Sequence, residues 1–154
     1  MRTRHKAHAI LLDAGQLLVL QRGWPGGTTY CTAVGGTIEP DDVDVIAGLR
    51  REVMEEVGAE IGPPNEVLTL TESGPPVTVV RHFYTAQVIN RDPDRRYGPE
   101  LADPDAGTFS LVRVAPTADA VTALNLQPPE LAAYVLTNLV TPAEQSPKGT
   151  LPPP

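Results

Sequence analysis

The chain has 154 residues, 41% of them apolar and 20% charged, the size and balance of one globular domain with room for a real core. Nineteen acidic against twelve basic residues leave a formal charge of −7, which argues against duplex nucleic acid as the main partner, because phosphate backbones demand a concentrated basic surface. No apolar run approaches the roughly 20 residues of a membrane span, the basic start MRTRHKAHAILL lacks a small-residue cleavage site, and Cys31 is the lone cysteine, so the chain reads as cytoplasmic with no membrane partner.

Residues 6–22, KAHAILLDAGQLLVLQR, place two apolar runs around DAGQ, where Gly15 can take positive φ, and this predicts a β-hairpin. Residues 23–36 hold five glycines and a proline and read as mostly loop around a short strand at 29–33. In EPDDVDVIAGLRREVMEEVGAEIG, Asp41 or Asp42 is the expected cap, and the helix should close at 58–62, ahead of Pro63 and Pro64. EVLTLTES and PVTVVRHFYTAQVI, bridged by GPP, predict two antiparallel strands. NRDPDRRYGPELADPDAGT is a polar connection of nearly 20 residues, a length that is often functional inside a compact domain.

FSLVRV predicts a last strand, PTADAVTAL a turn or two of helix, and PPELAAYVLTNLV a helix opened by Pro128 and Pro129. TPAEQSPKGTLPPP cannot bury enough to order itself, so a flexible Pro-rich tail is expected at 141–154 behind a single domain at 1–140. Strands, helix, strands, loop, strand and helix in that order predict an α/β fold: a mixed sheet with helices on its two faces.

At 100° per residue Ile46, Leu49, Val53 and Val57 form one stripe of the first helix, with Glu52, Glu55 and Glu56 in an arc of about 100° beside it. Like charges three or four residues apart weaken a helix by a few tenths of a kcal/mol per pair, so the cluster calls for open solvent or a compensating cation. A solvated face is the ordinary reading of EVMEE. Here, however, GGTIEPDD adds a tight glycine turn, Glu39 and an acidic pair at the helix entrance. The acids converge on one loop–helix junction, and oxygen donors of this kind suit Mg²⁺ and similar hard cations.

GGTIEPDDVDVIAGLRREVMEEVGA, residues 35–59, resembles the Nudix box, G-x5-E-x7-R-E-U-x-E-E-x-G-U with U aliphatic, and Arg51, Glu52, Val53, Glu55, Glu56 and Gly58 match its second half. The first half departs from the pattern. Asp42 stands where the family has Glu, eight residues rather than seven separate it from Arg51, Val34 replaces the common proline, and Ala59 occupies the last U position. The resemblance implies a Nudix-type α/β/α sandwich over residues 6–140 and a metal-dependent pyrophosphohydrolase that cleaves a nucleoside diphosphate linked to a moiety X.

The same resemblance implies Glu52, Glu55 and Glu56 as ligands of Mg²⁺ or Mn²⁺, helped by the carbonyl of Gly35 or Gly36. It implies Arg51 as the partner of an acid at the helix entrance, with Asp41, Asp42 and Glu39 open, and Glu52 or the distal Glu100 as general base. Arg22, closing the second strand, could contact phosphate, and Tyr30, Trp24 and Tyr97 could stack on a base, although a solvated arginine and packed aromatics are the plainer readings. His5, His8 and His82 read as structural. The rival is a Nudix-fold module that binds a nucleotide or a protein without turnover, and the presence of all three glutamates speaks against it. X stays open among a nucleoside triphosphate, a dinucleotide, ADP-ribose and a nucleotide sugar. Homodimers are common in the family, so the oligomeric state stays open too.

Overall fold

In a computed structural model, which describes residues 2–24, 26–95 and 108–141, the chain opens with the expected hairpin. β1 (Arg2–Asp13) and β2 (Gln16–Gly23) pair antiparallel with Asp13 opposite Gln16, and Ala14 and Gly15 make the turn at φ values of 52° and 81°. A two-residue turn with positive φ matches the natural twist of the strands it joins. β3 (Tyr30–Thr32) is the short strand expected there. The residues after it are not loop as the sequence predicts: β4 (Val34–Thr37) pairs antiparallel with β1, Thr37 opposite Lys6 and Val34 opposite Ala9. Two glycines in four residues hide this strand from propensity.

α1 (Val45–Val57) ends at Gly58, and the stretch expected to finish the helix is instead a short strand, β5 (Ala59–Ile61). β6 (Asn65–Glu72) and β7 (Val77–Arg91) are the predicted antiparallel pair. β7 also runs parallel to β1, with Arg2 opposite Val77 and Leu12 opposite Gln87. The polar connection begins with one 3-10 turn at Pro93–Arg95, and its residues 96–107 lie outside those described. β8 (Thr108–Val114) pairs with β2; α2 (Ala118–Ala123) is capped by Thr117, and α3 (Pro129–Asn138) starts on a proline whose missing N–H costs nothing in a first turn.

β1 changes partners along its length: residues 11–13 pair with β2 and residues 6–9 with β4, while β2 pairs with β8 along residues 17–23 and with β3 at residues 20–22. The mixed sheet therefore splays into two lobes, β4–β1–β7–β6 and β3–β2–β8, with a wedge between them. α1 packs over Ala7, Ala9, Leu11, Val34, Tyr84 and Ala86 on one face. α2 and α3 pack over Ile10, Leu17, Val19 and Phe83 on the other. Odd and even residues of β1 divide between these layers because a strand alternates its side chains. The result is the expected α/β/α sandwich. Among the described residues no helix is long and apolar enough to cross a membrane.

Candidate active site

The stripe read from the sequence is the buried face of α1, where Leu49, Val53 and Val57 have no exposure. Glu52 and Glu56, one turn apart beside it, are only 7% and 6% exposed, the only charged residues so buried among those described. The helix that carries them is not capped by Asp41 or Asp42. Asp44 is the N-cap, its carboxylate accepting from Ala47 N at 2.8 Å, and Asp42 is used elsewhere. Gly58 closes the helix at a φ of 70°, donating its N–H to Met54 O.

The double glycine of β4 lets α1 come close. A side chain on Gly36 would put its Cβ 2.7 Å from the Glu52 carboxylate, and one on Gly35 would collide with the Ala7 carbonyl of β1. Gly35 donates its backbone N–H to Glu56 Oε1 at 2.8 Å. The glycines thus form a window in the sheet through which two helix carboxylates reach the wedge.

Arg51 supplies the compensating cation that the glutamates require. Its Nε and Nη2 donate to the two oxygens of Asp42 at 3.0 Å each, a bidentate fork, and Nη2 also donates to Thr37 O. Nη1 donates to Glu52 Oε1 at 3.1 Å and Glu55 Oε1 at 3.2 Å, while Glu39 stays at 3.8 Å and is 58% exposed. Of the three acids left open by the sequence, Asp42 therefore meets Arg51. It does so despite being a methylene short and one residue displaced, because the segment before the N-cap takes up the extra residue, with Val43 turned out to solvent. Asp42 Oδ2 also accepts from Glu39 N, tightening the turn. The Arg51 hydrogen bonds hold the Asp42 carboxyl below the usual range, and the same acids push Arg51 further up, against its partial burial.

The wedge is a cleft of about 630 Å³. Its α1 wall presents Gly35, Gly36, Glu39, Glu52 and Glu56. The β3–β2–β8 lobe contributes Leu20, Arg22, Tyr30 and Phe109, and the segment before α3 contributes Gln127 and Pro128. Of the substrate-facing candidates of the sequence, Arg22 and Tyr30 line the same cleft as Glu52 and Glu56, and Trp24 is not in its lining. The Arg22 guanidinium sits 4.9 Å from the Trp24 ring and 4.7 Å from the Phe109 ring, and Tyr30 stacks on Trp24 at 5.9 Å. Glu55 is not in the lining; its carboxylate is on Arg51. Glu100 and Tyr97 lie outside the described residues.

Among the lining residues not singled out as functional from the sequence are Lys6, His8, Glu72, Arg81 and Phe83. Polar residues on the inward face of otherwise apolar strands are the signal that points to Lys6, His8 and Arg81. His8 stacks on Phe83 at 4.9 Å, and burial, then Arg81 and Lys6, push its pKa down to about 4, so the ring is neutral at physiological pH. His82 lies on the opposite face, hydrogen-bonded to Glu66 and His5.

Among the described residues no three His, Cys, Asp or Glu side chains stand ready-made as a metal cage. The donor set nevertheless fits a hard divalent cation. Two nearly buried carboxylates share one wall of a cleft with Glu39 and the glycine backbone, and all of these offer oxygen, with room left for waters and substrate oxygens.

A family model described as NUDIX domain matches residues 2–147. No curated protein matches the chain. Among solved structures, a NUDIX hydrolase from Nitrosomonas europaea superposes with a TM-score of 0.66, covering 94% of this chain and 100% of its own at 18% identity. The MutT protein from Bacillus halodurans gives 0.62, with 90% and 83% coverage at 17% identity. The E. coli ORF135 protein gives 0.57, with 93% and 96% coverage at 22% identity. At these identities the structural likenesses speak to the fold alone.

Proposed function

The chain belongs to the NUDIX family, and from that premise we propose that it is a pyrophosphohydrolase dependent on Mg²⁺ or Mn²⁺ that cleaves the diphosphate linkage of a nucleoside diphosphate joined to a moiety X. The observation that carries the reading is the pair Glu52 and Glu56, nearly buried yet lining the cleft through the glycine window. Two carboxylates this close together beside a polar cleft, with the glycine backbone next to them, are the oxygen donors that a hard divalent cation takes.

Glu52 and Glu56 would hold the cation together with the Gly36 carbonyl, and Glu55 would join them on release from Arg51. Such a cation would supply charge neutralisation at phosphate oxygens and a lowered pKa for an attacking water. Arg51, locked on Asp42, keeps the helix and the glycine window in register. Glu52 is the first candidate to accept the water's proton, and Glu100 on the polar connection is the second. Arg22 and Tyr30 bind the nucleoside end, the aromatic ring offering a stacking face and the guanidinium a phosphate contact.

A panel of nucleoside diphosphate derivatives, incubated with Mg²⁺ and with Mn²⁺ and read as phosphate released by a coupled phosphatase, tests this. The expected outcome is metal-dependent release with at least one class of X. Tight binding without release from any of them would identify a nucleotide-binding module instead.

A further inference from the structure

The cleft is lined by charges of both signs, and Glu72 is on Arg81 within it. Glu39, Glu52 and Glu56 form the α1 wall, and Lys6 and Arg81, exact neighbours in the parallel β1–β7 register, lie on the floor across from it. Lys6 also stands opposite Thr37 in the β1–β4 pairing, beside the Gly36 window, at one strand spacing of about 4.8 Å. Of the aromatic rings lining the cleft, Tyr30 and Phe109 belong to the other lobe and Phe83 to this one. A ligand stacked on the other lobe and reaching across the window meets the two cations.

Lys6 is in an unfavourable position without a ligand. It is half-buried, it is the one lysine among the described residues, and no described residue gives it a hydrogen bond or an ion pair. Burial, then Arg81 and Arg4, push its ammonium below the ordinary lysine value, with Glu72 the opposing acid. Arg81 commits only its Nε–H, to Glu72 Oε1 at 2.6 Å, and that glutamate is 62% exposed. Two cations side by side in a partly desolvated cleft, with one mostly exposed glutamate as their acid, cost stability, and binding sites are where such arrangements are kept.

We propose that Lys6 and Arg81 form the subsite for X and that X is anionic, carrying at least one further phosphate. The substrate class is then a nucleoside with a chain of three or more phosphates, and not a nucleoside diphosphate sugar. A neutral sugar would bring no charge to Lys6 or to the Arg81 nitrogens that Glu72 leaves open, whereas a phosphate takes up both, Arg81 through its fork and Lys6 as a point charge. This rests on the pyrophosphohydrolase reading given above. The phosphates of X can be terminal, as in a nucleoside triphosphate, or bridging, as in a dinucleoside polyphosphate.

The test compares a nucleoside triphosphate, a dinucleoside tetraphosphate and a nucleoside diphosphate sugar in kcat and KM, with calorimetry of inorganic triphosphate, with and without Mg²⁺, as a readout that needs no turnover. The wild type should prefer one or both phosphate-rich substrates by tenfold or more in kcat/KM, and which of the two it prefers tells terminal from bridging. Lys6→Met and Arg81→Met should each raise KM for that substrate about tenfold and weaken triphosphate binding about tenfold, with Lys6→Arg restoring most of both. Preference for the sugar, or equal losses on all three substrates with unchanged triphosphate binding, overturns the inference and leaves the hydrolase reading standing. Triphosphate binding that depends on Lys6 without turnover of any substrate supports the subsite and rejects the hydrolase reading. If Lys6→Met does not fold, Arg81→Met and Lys6→Arg decide by the same measurements.

Discussion

The two faces of the sheet are covered by helices in opposite ways. α2 and α3 bury Val121, Leu131 and Val135 against Ile10, Leu17, Val19 and Phe83, a layer whose buried members are apolar throughout. α1 buries Leu49, Val53 and Val57 in the same manner but brings Glu52 and Glu56 down with them, and it needs Arg51 and two glycines to do so. One helix layer is there to be stable. The other gives up part of its stability to hold charge next to a cleft, which is the arrangement expected where burial serves chemistry. Substitutions on the two faces should therefore separate activity from stability.

The largest effect should come from Glu56→Gln. The amide keeps an oxygen to accept the Gly35 N–H and removes one of several repelling carboxylates, so the melting temperature in metal-free buffer should stay level or rise slightly. Turnover with Mg²⁺ should fall roughly a hundredfold to a thousandfold, the loss seen when a charge-stabilising group leaves a reaction centre. A folded variant with normal turnover would remove Glu56 from the site. The opposite face should respond in the opposite sense. Leu131→Ala, at a position 1% exposed, should cost about 2–5 kcal/mol in denaturant unfolding while the folded fraction keeps its kcat.

Arg51 sits between these extremes, since its role is to brace. Its side chain is 20% exposed and that of Asp42 7%, a pair neither dry nor solvated, so Arg51→Ala should cost about 2 kcal/mol, between the values for surface and buried pairs. A double-mutant cycle should give strong coupling to Asp42→Asn, which loses the bidentate fork, and close to none with Glu39→Gln. Additivity with Asp42→Asn would mean that the fork contributes nothing. The coupling has a pH signature. The folded-state pKa of Asp42 lies below its ordinary 3.8, so the brace is fully present above that value and is lost as the pH falls through the depressed one. The stability gap between wild type and Asp42→Asn should be constant at neutral pH and close below pH 3.8.

The hairpin, the β6–β7 pair, β8 and the helices α1, α2 and α3 were legible because each carries a local signal: a turn dipeptide, a β-branched run, a cap or a proline start. β4 was not, since Gly35 and Gly36 have no strand propensity, and the strand exists through its pairing with β1. The cap was misplaced for a different reason. Asp41, Asp42 and Asp44 are equally good caps by type, and only the fork to Arg51 removes Asp42 from the choice. The glutamates and Arg51 stand in one helix and could be read together. Lys6, His8, Arg81 and Phe83 become neighbours only through a parallel register between strands some 75 residues apart, which no local pattern encodes.

The smallest effect should come from the C-terminal end, and it tests whether the α2–α3 face is functionally silent. Residues 142–154, PAEQSPKGTLPPP, hold five prolines and only Leu151 as a large aliphatic side chain, so they have little to bury. Val140 still packs against the apolar layer, and Thr141 donates its N–H to Pro116 O at 2.8 Å, beside the start of α2. Truncation after Thr141 keeps both contacts and should leave the melting temperature within about 2 °C of the full chain, whereas truncation after Val140 should cost about 1 kcal/mol for one lost hydrogen bond. Neither should change kcat/KM. Gln127 and Pro128, just before α3, already reach the cleft from this side. If the shorter protein folds normally but loses activity, a residue of 142–154 must join them there, and the apolar face would then contribute to the site as well as to the fold.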